Sequence, residues 1–367
     1  MEDRKRFEAA CNLYPIGPRL NIEEFPDVPA FPVYKHTRKI ALELISSAYK
    51  HLPKLPPIHF DFVQVSNVNA WAFKHDNHYF IAVTAGAVCM LHLVLDRILA
   101  NPNTFEMIGD PTLELQDIQL VDWNIVDPER LFNDGVRPVV AQDPARQLYS
   151  KHLADQALMF LIGHEIAHIT RGHVDFVTAS SNQSFIAEVG FRGGEARQRL
   201  ERQAIEADAD RRSIFARCKS QFMTAENNEG RRFPWSDKPV VIESLQFDWA
   251  FAVNVLFRLF GDHRFADIDL DSVSYPPLAL RRRLAMDFGF TLLLRNWGRE
   301  HESKIFDALA GSIRTTEDAF IAIGASSAKG GFDEAYADVG TQHVKRIVEC
   351  WNGLKPELER YSFESLR

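Results

Sequence analysis

The chain has 367 residues, 46% of them hydrophobic and 25% charged, so it can bury a substantial core as one large or two closely joined domains. Its net charge of −8 argues against nucleic acid as a partner, because a phosphate-binding face needs clustered lysines and arginines. The four cysteines are widely spaced, so we expect no disulfide framework. The N-terminus lacks an apolar signal core, and no apolar run is long enough to span a membrane. We therefore expect a cytoplasmic protein without a membrane span.

The N-terminal part of the chain is predicted to contain one helix and a small sheet. Residues 1–34 are spaced by prolines and should form an irregular arm over the core, whereas the helical spacing of 35–52 ends at Pro53. Alternating apolar residues at 58–66 predict a strand, and two further strand-like runs flank residues 75–78. The histidines in this His-Asp-Asn-His turn could be taken for metal ligands, but a hairpin tip is the preferred interpretation.

The region after the predicted sheet combines a helix with a long irregular segment. Residues 84–100 predict a helix, whereas residues 101–145 are acidic, contain prolines and lack periodicity. A long irregular stretch inside a compact domain is often a functional lid. This acidic insertion therefore either borders a cleft and restricts substrates, or forms a solvated surface segment.

A His-Glu-x-x-His pattern lies inside the helix predicted for residues 147–172. His164 and His168 are four residues apart, so they share one helix face and can present two imidazoles to one zinc ion. Glu165, the next residue along, can reach a water on the metal and take its proton. A pattern of three fixed residues also arises by chance, and the alternative is a helix whose histidines only form hydrogen bonds in the core.

A second helix, predicted for residues 195–217, offers the third metal ligand. Glu206 and Asp210 are four residues apart and share one face of this helix. Zinc sites with two histidines can be completed by a carboxylate, so Glu206 is the candidate ligand. Asp210 can accept a hydrogen bond from the free N–H of a ligand histidine, with His164 as the expected partner. Asp208 lies on another face and is the weaker candidate, and an ordinary solvated acidic face remains the alternative.

The remaining sequence is predicted to be mostly helical, after a polar linker at residues 174–194 that ends in two glycines. Further helices are predicted at 242–260, 276–294, 303–313, 317–323 and 341–361. The expected fold class is therefore α+β and mainly α-helical, with one small sheet beside the two metal-binding helices. We divide the chain into an N-terminal arm and helix at 1–57, a core at 58–295 and a C-terminal helical region at 296–367.

Four short motifs follow one another in an order that is typical of one peptidase family. In chain order, the first is Asn-Ala-Trp-Ala-Phe at 69–73 with a strand ending in Gly86, and the second is His-Glu-x-x-His with the following Gly-His. The third is Glu-x-x-Ala-Asp from Glu206, and the fourth is Ser-Tyr-Pro-Pro-Leu at 274–278 with Arg281. Together these motifs resemble the gluzincin metallopeptidase family that contains the CAAX prenyl endopeptidases and the bacterial heat-shock membrane protease. The resemblance covers about residues 58–285 and implies a zincin-like core that binds one zinc ion per chain.

The resemblance also assigns roles to residues outside the two metal-binding helices. It implies that Tyr275, which stands in place of the family's histidine, donates a hydrogen bond to the developing oxyanion. It further implies that Arg281 lies at the site. The alternative for Arg281 is a structural ion pair at the rim of the site, and the alternative for Tyr275 is a packing residue before a helix. His173 is expected to support the site through hydrogen bonds or packing and not to bind the metal.

The predicted substrate-binding residues lie on the strand that carries the Asn-Ala-Trp-Ala motif. An extended peptide can add to the exposed edge of such a strand through main-chain hydrogen bonds, which demand little of the side chains. Asn69, Ala70 and Trp71 are therefore the expected contacts for the substrate. Members of the resembled family usually carry membrane spans, and this chain departs from them in that respect.

These features predict a zinc-dependent endopeptidase that acts on a protein or peptide substrate, with Glu165 as the general base. A weaker similarity, limited to His-Glu-x-x-His and the lack of spans, links the chain to the phage-exclusion protease Lit. One alternative is a regulated defence or toxin-like protease that cleaves one cytosolic protein, with its trigger in the acidic insertion or the C-terminal third. Another is a non-catalytic zinc-containing regulatory or binding protein, against which the intact Glu165 argues.

Overall fold

The computed structural model describes residues 2–14, 16–24, 31–115, 137–181, 185–187, 196–261 and 268–366. The helices within these ranges are α1 (Glu2–Leu13), α2 (Phe31–His51), α3 (Ala85–Ala100), α4 (Pro144–Thr170), α5 (His173–Ser181), α6 (Ala196–Asn227), α7 (Ile242–Leu259), α8 (Leu278–Trp297), α9 (Glu302–Ala322), α10 (Lys329–Tyr336) and α11 (Asp338–Leu358). The strands are β1 (Ile58–Val63), β2 (Ala70–His75), β3 (His78–Thr84) and β4 (Phe185–Ala187). The protein is thus mainly α-helical with one small sheet, which confirms the predicted fold class.

The described strands form one sheet in the order β1-β3-β2-β4. Strand β1 runs parallel to β3, and β2 runs antiparallel to both β3 and β4. The turn between β2 and β3 contains Asp76 and Asn77 at φ values of 47° and 59°, the left-handed conformations of a type I′ hairpin. His75 and His78 form the pair next to this turn. The hairpin-tip interpretation of the two histidines is therefore confirmed.

Helices cover both faces of the sheet. One face packs into the main core through side chains such as Phe62 and Ile81. The other face is covered by α1, whose Phe7, Ala10 and Cys11 form an apolar stripe that packs on β1, β2 and β3. The prediction of an irregular N-terminal arm was therefore wrong for the first residues, because the spacing of this stripe is helical.

Helix α4 lies at the centre of the helical layer. Its start is set by Asp143, whose carboxylate accepts a hydrogen bond from the backbone N–H of Arg146 at 2.9 Å, and by Pro144 at the first position. The helix packs against α2, α3, α6 and α7, and it also contacts strand β2. Helix α6 in turn packs against α8 and α11. The two helices that carry the predicted metal ligands therefore lie side by side in the interior.

Several segments differ from the sequence prediction. The polar linker expected at 174–194 contains most of α5 and all of β4. Helix α9 is continuous where two helices were expected, and within it the hydroxyl of Thr316 donates to the carbonyl of Ser312 at 2.8 Å, so this buried polar group is satisfied inside the helix. Helix α10 was not predicted, since its two glycines obscure the pattern. The central part of the acidic insertion, residues 116–136, lies outside the described residues.

Two observations bear on the expected class of protein. No helix in the described part of the chain is both long and apolar enough to cross a membrane. The four cysteines are free thiols, and Cys11 and Cys218 are buried. Burial is the main cause that raises the pKa of each of these two thiols to about 12, so both remain protonated near neutral pH.

The last described residues fold back onto the end of α4 and are called the C-terminal tail (residues 359–366). The N–H of Phe363 donates to the carbonyl of Thr170 at 2.9 Å, and Glu364 accepts from Arg212 at 2.7 Å. Gly172 follows the end of α4 and has a φ of 76°. A Cβ atom added to Gly172 would lie only 2.5 Å from the backbone carbonyl carbon of Tyr361. The end of α4 is therefore shaped by both a left-handed glycine and the C-terminal tail.

A buried carboxylate ties the N-terminal segment to the sheet. Asp61 in β1 is 1% exposed and accepts hydrogen bonds from Arg19 and Arg38, each at 2.6 Å. Burial raises the pKa of Asp61, but hydrogen bonds and charges from His59, Arg19 and Arg38 outweigh it and hold that pKa well below its ordinary value. Asp61 is therefore ionised in the folded protein.

Replacing Gly172 by alanine is expected to lower the free energy of unfolding by about 3 kcal/mol, because strain at positive φ adds to the clash with Tyr361. Gly230 has a similar φ of 75° but nothing within 4 Å of an added Cβ. Gly230→Ala should therefore cost only about 1 kcal/mol. Urea unfolding of both variants measures the difference, and equal losses would show that the C-terminal tail does not restrict this position.

Asp61→Asn is expected to lower the free energy of unfolding by about 3 kcal/mol at neutral pH, because two partly buried guanidinium groups lose the charge of a buried carboxylate. The folded pKa lies below the unfolded value of about 3.9, so the stabilisation is complete above that value and is lost as the pH falls towards the folded pKa. Chemical denaturation of both proteins across the acid range should show the difference shrinking below about pH 4. A difference that stays constant would contradict the ion-pair explanation.

Candidate metal centre

Three predicted ligands meet in the interior between α4 and α6. His164 and His168 occupy one face of α4, and Glu206 projects from the adjacent α6, each with at most 1% of its surface exposed. The Nε2 atoms of the two histidines are 2.8 Å apart. The Glu206 carboxylate oxygens lie 3.4 Å from Nε2 of His164 and 3.5 Å from Nε2 of His168. The structure thus brings together two imidazole nitrogens and one carboxylate.

The donor set fits a zinc ion in both chemistry and spacing. Zinc–nitrogen and zinc–oxygen bonds of about 2.0–2.1 Å place two ligands of a tetrahedral ion roughly 3.3 Å apart. The two nitrogen–oxygen separations match this value, and the two histidine rings need to part by only about 0.5 Å. Among the described residues, these three side chains form the cluster of histidine and carboxylate groups that could hold a metal ion.

Asp210 fixes the orientation of His164. Its Oδ1 atom lies 2.8 Å from Nδ1 of His164, which turns the Nε2 atom of that ring towards Glu206 and His168. The guanidinium of Arg281 from α8 donates two hydrogen bonds, of 2.6 and 2.8 Å, to the same carboxylate. Burial raises the pKa of Asp210, but the charges and hydrogen bonds of Arg281 and His164 outweigh it and lower that pKa overall. The carboxylate therefore accepts hydrogen bonds as an anion.

His168 has a different partner, His173, one of the residues that the sequence analysis expected to support the site. Its Nδ1 atom lies 3.1 Å from Nδ1 of His173, and Nε2 of His173 lies 3.3 Å from Asp208. Arg171 donates to the other oxygen of Asp208 at 2.9 Å. Burial lowers the pKa of His168 well below its ordinary value, and neighbouring positive groups lower it further, so this ring is neutral and able to bind a metal.

Asp208 and Arg171 carried no signal in the sequence that would have linked them to His168. Asp208 faces away from Glu206 on α6, and Arg171 follows the end of α4. Both are buried, and they meet only because the two helices pack side by side. Their pairing depends on tertiary structure, which helical spacing alone cannot reveal.

Arg202 is a second residue that the sequence interpretation missed. It lies one turn before Glu206 on the same face of α6. Burial lowers the pKa of the Arg202 guanidinium, while its neighbours Tyr275 and Glu206 oppose that shift. Tyr275 is half-buried and interacts electrostatically with Arg202, which follows the helix face of the candidate ligand Glu206. The four-residue spacing from Glu206 is the signal that could have identified Arg202.

Glu165 is 1% exposed and follows His164 directly on α4, so it is buried beside the ligands. Asn69, Ala70 and Trp71 lie at the start of β2, which contacts α4, and all three are buried. The edge of β2 is not open, however, because β4 pairs with Trp71, Ala72 and Phe73. The expected exposed edge for a peptide was therefore wrong along this part of β2, since the short β4 could not be recognised in a segment interpreted as linker.

The effects of replacing Arg281 and Asp210 on the free energy of unfolding are expected to be strongly coupled. In metal-free protein, Arg281→Met should lower the free energy of unfolding by about 3–5 kcal/mol, because it leaves a buried carboxylate without its guanidinium. Arg281→Met combined with Asp210→Asn should lose less than the sum of the single changes by more than about 1 kcal/mol. Denaturation in the presence of a chelator measures this coupling.

The matched control is the more exposed pair Arg283 and Asp287 on the same helix, 3.2 Å apart. Its double-mutant cycle should be additive to within about 0.5 kcal/mol, since exposed pairs stabilise little. Equal coupling energies in the two cycles would contradict the expectation that the buried Arg281–Asp210 pair stabilises the protein more than the exposed pair does.

Comparison with known proteins agrees with this geometry. No curated protein and no solved structure matches the chain. The family model described as Peptidase family M48 matches residues 35–226, just over half of the 367 residues. This range includes α4 and α6 with the three clustered side chains. The family consists of zinc metallopeptidases, so the protein is a peptide-bond hydrolase whose substrates are proteins or peptides. The chain belongs to peptidase family M48.

Proposed function

We propose that the protein is a zinc-dependent endopeptidase in which His164, His168 and Glu206 hold one zinc ion. The observation that carries this proposal is the convergence of two Nε2 atoms and one carboxylate at ligand spacing in a fully buried position. The Nδ1 atom of each ring already has a partner, Asp210 for His164 and His173 for His168. Both rings are thus oriented with the correct nitrogen towards a shared ion.

The proposed chemistry divides between the metal and the protein. A zinc ion at this position would polarise the scissile carbonyl and lower the pKa of the attacking water. Glu165, buried beside His164, would take the proton from that water and deliver it to the leaving amine. Asp210 and Arg281 would hold His164 in place during the reaction, because the bidentate ion pair restricts both side chains.

We propose that Tyr275 donates a hydrogen bond to the oxyanion that forms at the scissile carbonyl. Arg202 interacts electrostatically with Tyr275, and its positive charge would favour negative charge at this side of the cluster. Arg202 is on the same helix face as Glu206, so it is directed towards the same region as the ligands. This pair of residues would replace the single histidine that related peptidases carry before the Pro-Pro sequence.

The proposed substrate groove runs along the start of β2, where Asn69, Ala70 and Trp71 remain the expected contacts. Since β4 covers β2 from Trp71 onward, an extended peptide must either displace β4 or pair with the outer side of β4. Strand β4 has only three residues, so its loss would break few hydrogen bonds. We therefore propose that β4 restricts access of the substrate to the sheet.

A regulated protease that acts on one protein is the second candidate. It is favoured by the C-terminal tail, which bonds to Thr170 at the end of the helix that carries both histidines. We propose that residues 58–295 form the catalytic core and that residues 296–367 adjust the position of α4 through this contact.

A protein with four free cysteines is suited to a reducing compartment, and we propose the cytoplasm as its location.

Metal content and peptidase activity together test the proposed function. After zinc loading and removal of excess metal, wild-type protein and Glu165→Gln should each retain one zinc ion per chain, whereas Glu206→Gln should not. Glu165→Gln should cleave a fluorogenic peptide library at least about 100-fold more slowly than wild type, because it has lost the general base. Mass spectrometry of the metal and a fluorescence assay give the two readings.

Glu201→Gln is the matched control, since Glu201 lies on the same helix but is paired with Arg197 on the surface. This variant should keep both zinc and activity. Zinc retained by Glu206→Gln would refute the ligand set, and full activity in Glu165→Gln would refute the assigned base. Zinc binding without any cleavage by wild type would favour a non-catalytic role.

A further inference from the structure

A large cleft lies far from the candidate metal centre. It has a volume of about 790 Å³ and is bordered by residues 103–108, the start of α4, the loop at 233–238, the start of α7 and helix α9. This volume is in the range of sites for small organic ligands. Tyr149 in its wall precedes His164 on α4 by roughly 22 Å along the helix axis. The cleft is therefore separate from the proposed zinc centre.

Aromatic rings form much of the wall of this cleft. Phe105 packs edge-on against Tyr149 with ring centroids 5.4 Å apart, and against Phe247 at 6.5 Å. Trp235 lies 5.6 Å from Tyr149 and stacks on Phe233 at 5.1 Å. Rings arranged in this way present both edges and π-faces to a bound molecule, and π-faces attract cations.

A buried carboxylate lies among these rings. Asp248 lines the cleft although its surface is only 5% exposed, and it accepts a hydrogen bond from the Tyr149 hydroxyl at 2.6 Å. His152 lies 3.1 Å from its other oxygen. Burial and the charge of Asp248 raise the pKa of Tyr149 well above its ordinary value, so the phenol stays protonated and donates. The deep part of the cleft thus combines aromatic rings with an acidic side chain.

The two lysines that line the cleft have partners other than Asp248. Lys304 is paired with Glu243 at 3.2 Å, and Lys238 points to the sulfur of Met107 at 3.8 Å. Carboxylates in the lining outnumber ammonium groups by four to two. The electrostatic balance of the cleft therefore favours a positively charged ligand.

The wall formed by residues 103–108 is held rigidly in place. The guanidinium of Arg146, which is fully buried, donates hydrogen bonds of 2.7–3.0 Å to five backbone carbonyls, those of Leu99, Asn101, Thr104, Phe105 and Ile108. Phe105 adopts a left-handed φ of 48°, a strained value for a phenylalanine. Strain of this kind persists where the surroundings fix it, and it is concentrated at binding and catalytic sites.

We propose that this cleft binds a small organic ammonium compound with apolar substituents. The ammonium group lies against the aromatic lining beside Asp248, and the carboxylate of Asp248 balances its charge. The apolar substituents fill the remaining aromatic part of the cleft. The site is preformed because Arg146 fixes its wall, so binding requires little rearrangement.

Isothermal titration calorimetry with three probes of similar size tests this proposal on the intact chain. Benzyltrimethylammonium should bind, whereas the neutral 2-methyl-1-phenyl-2-propanol, which has nearly the same shape, should bind at least about tenfold more weakly and the anionic benzoate should not bind. Absence of binding by benzyltrimethylammonium, or equal binding of all three probes, would overturn the proposal.

Two variants locate the binding site within the chain. Asp248→Asn removes the charge and should weaken binding of benzyltrimethylammonium by at least about tenfold. Its matched control is Asp287→Asn, because Asp287 also accepts a tyrosine hydroxyl, at 2.8 Å, but lies outside the cleft. Affinity that is unchanged in folded Asp248→Asn would refute the assigned site.

Trp235→Leu provides an independent variant if Asp248→Asn fails to fold, since Trp235 is only half-buried. It removes one ring face and should weaken binding by about fivefold or more, whereas Trp297→Leu, outside the cleft, should not. Equal affinities of the two tryptophan variants would overturn the proposal. These readings do not depend on zinc or on peptidase activity, so they remain informative if the proposed function fails.

Discussion

Asp210 lies where three helices meet, and its two carboxylate oxygens connect all of them. It projects from α6, contacts His164 on α4 and is gripped by Arg281 from α8. Each of these groups is almost completely buried, so each would be costly to hold there without the others. The guanidinium of Arg281 also lies over the rings of Phe257 and Phe260, which joins the ion pair to the apolar core. The geometry of the candidate metal centre depends on this one interaction.

The two histidines are supported in unequal ways. His164 meets a carboxylate directly, whereas His168 reaches Asp208 only through the ring of His173. A direct carboxylate makes its imidazole more basic than an intervening neutral ring does. The two Nε2 atoms of the candidate metal centre are therefore electronically different, although the sequence motif treats them as equivalent. Because Arg171 and the C-terminal tail both contact the region of Asp208, changes at the surface can reach His168 more readily than His164.

Much of the candidate site could be predicted because its ligands follow helical spacing. His164, His168 and Glu206 were identified from intervals of four residues and from the chemistry of zinc, and the structure places them together. Strand β4 could not be predicted, since three residues carry too little pattern to separate a strand from a linker. Asp208 was set aside because it faces away from Glu206, yet packing of α4 on α6 buries it against Arg171. Local periodicity determines which residues share a face, but it does not determine what that face meets.

The contact between the C-terminal tail and Thr170 has a consequence for the order of events during synthesis. The carbonyl of Thr170 is paired with Ser362, 192 residues later in the sequence. Contacts between such distant residues close late, because a long loop must be ordered before they form. The end of α4 therefore stays open to water on the ribosome until the tail has been made. We expect a nascent chain that already contains both histidines and Glu206 to order the end of α4 only after the tail has been made.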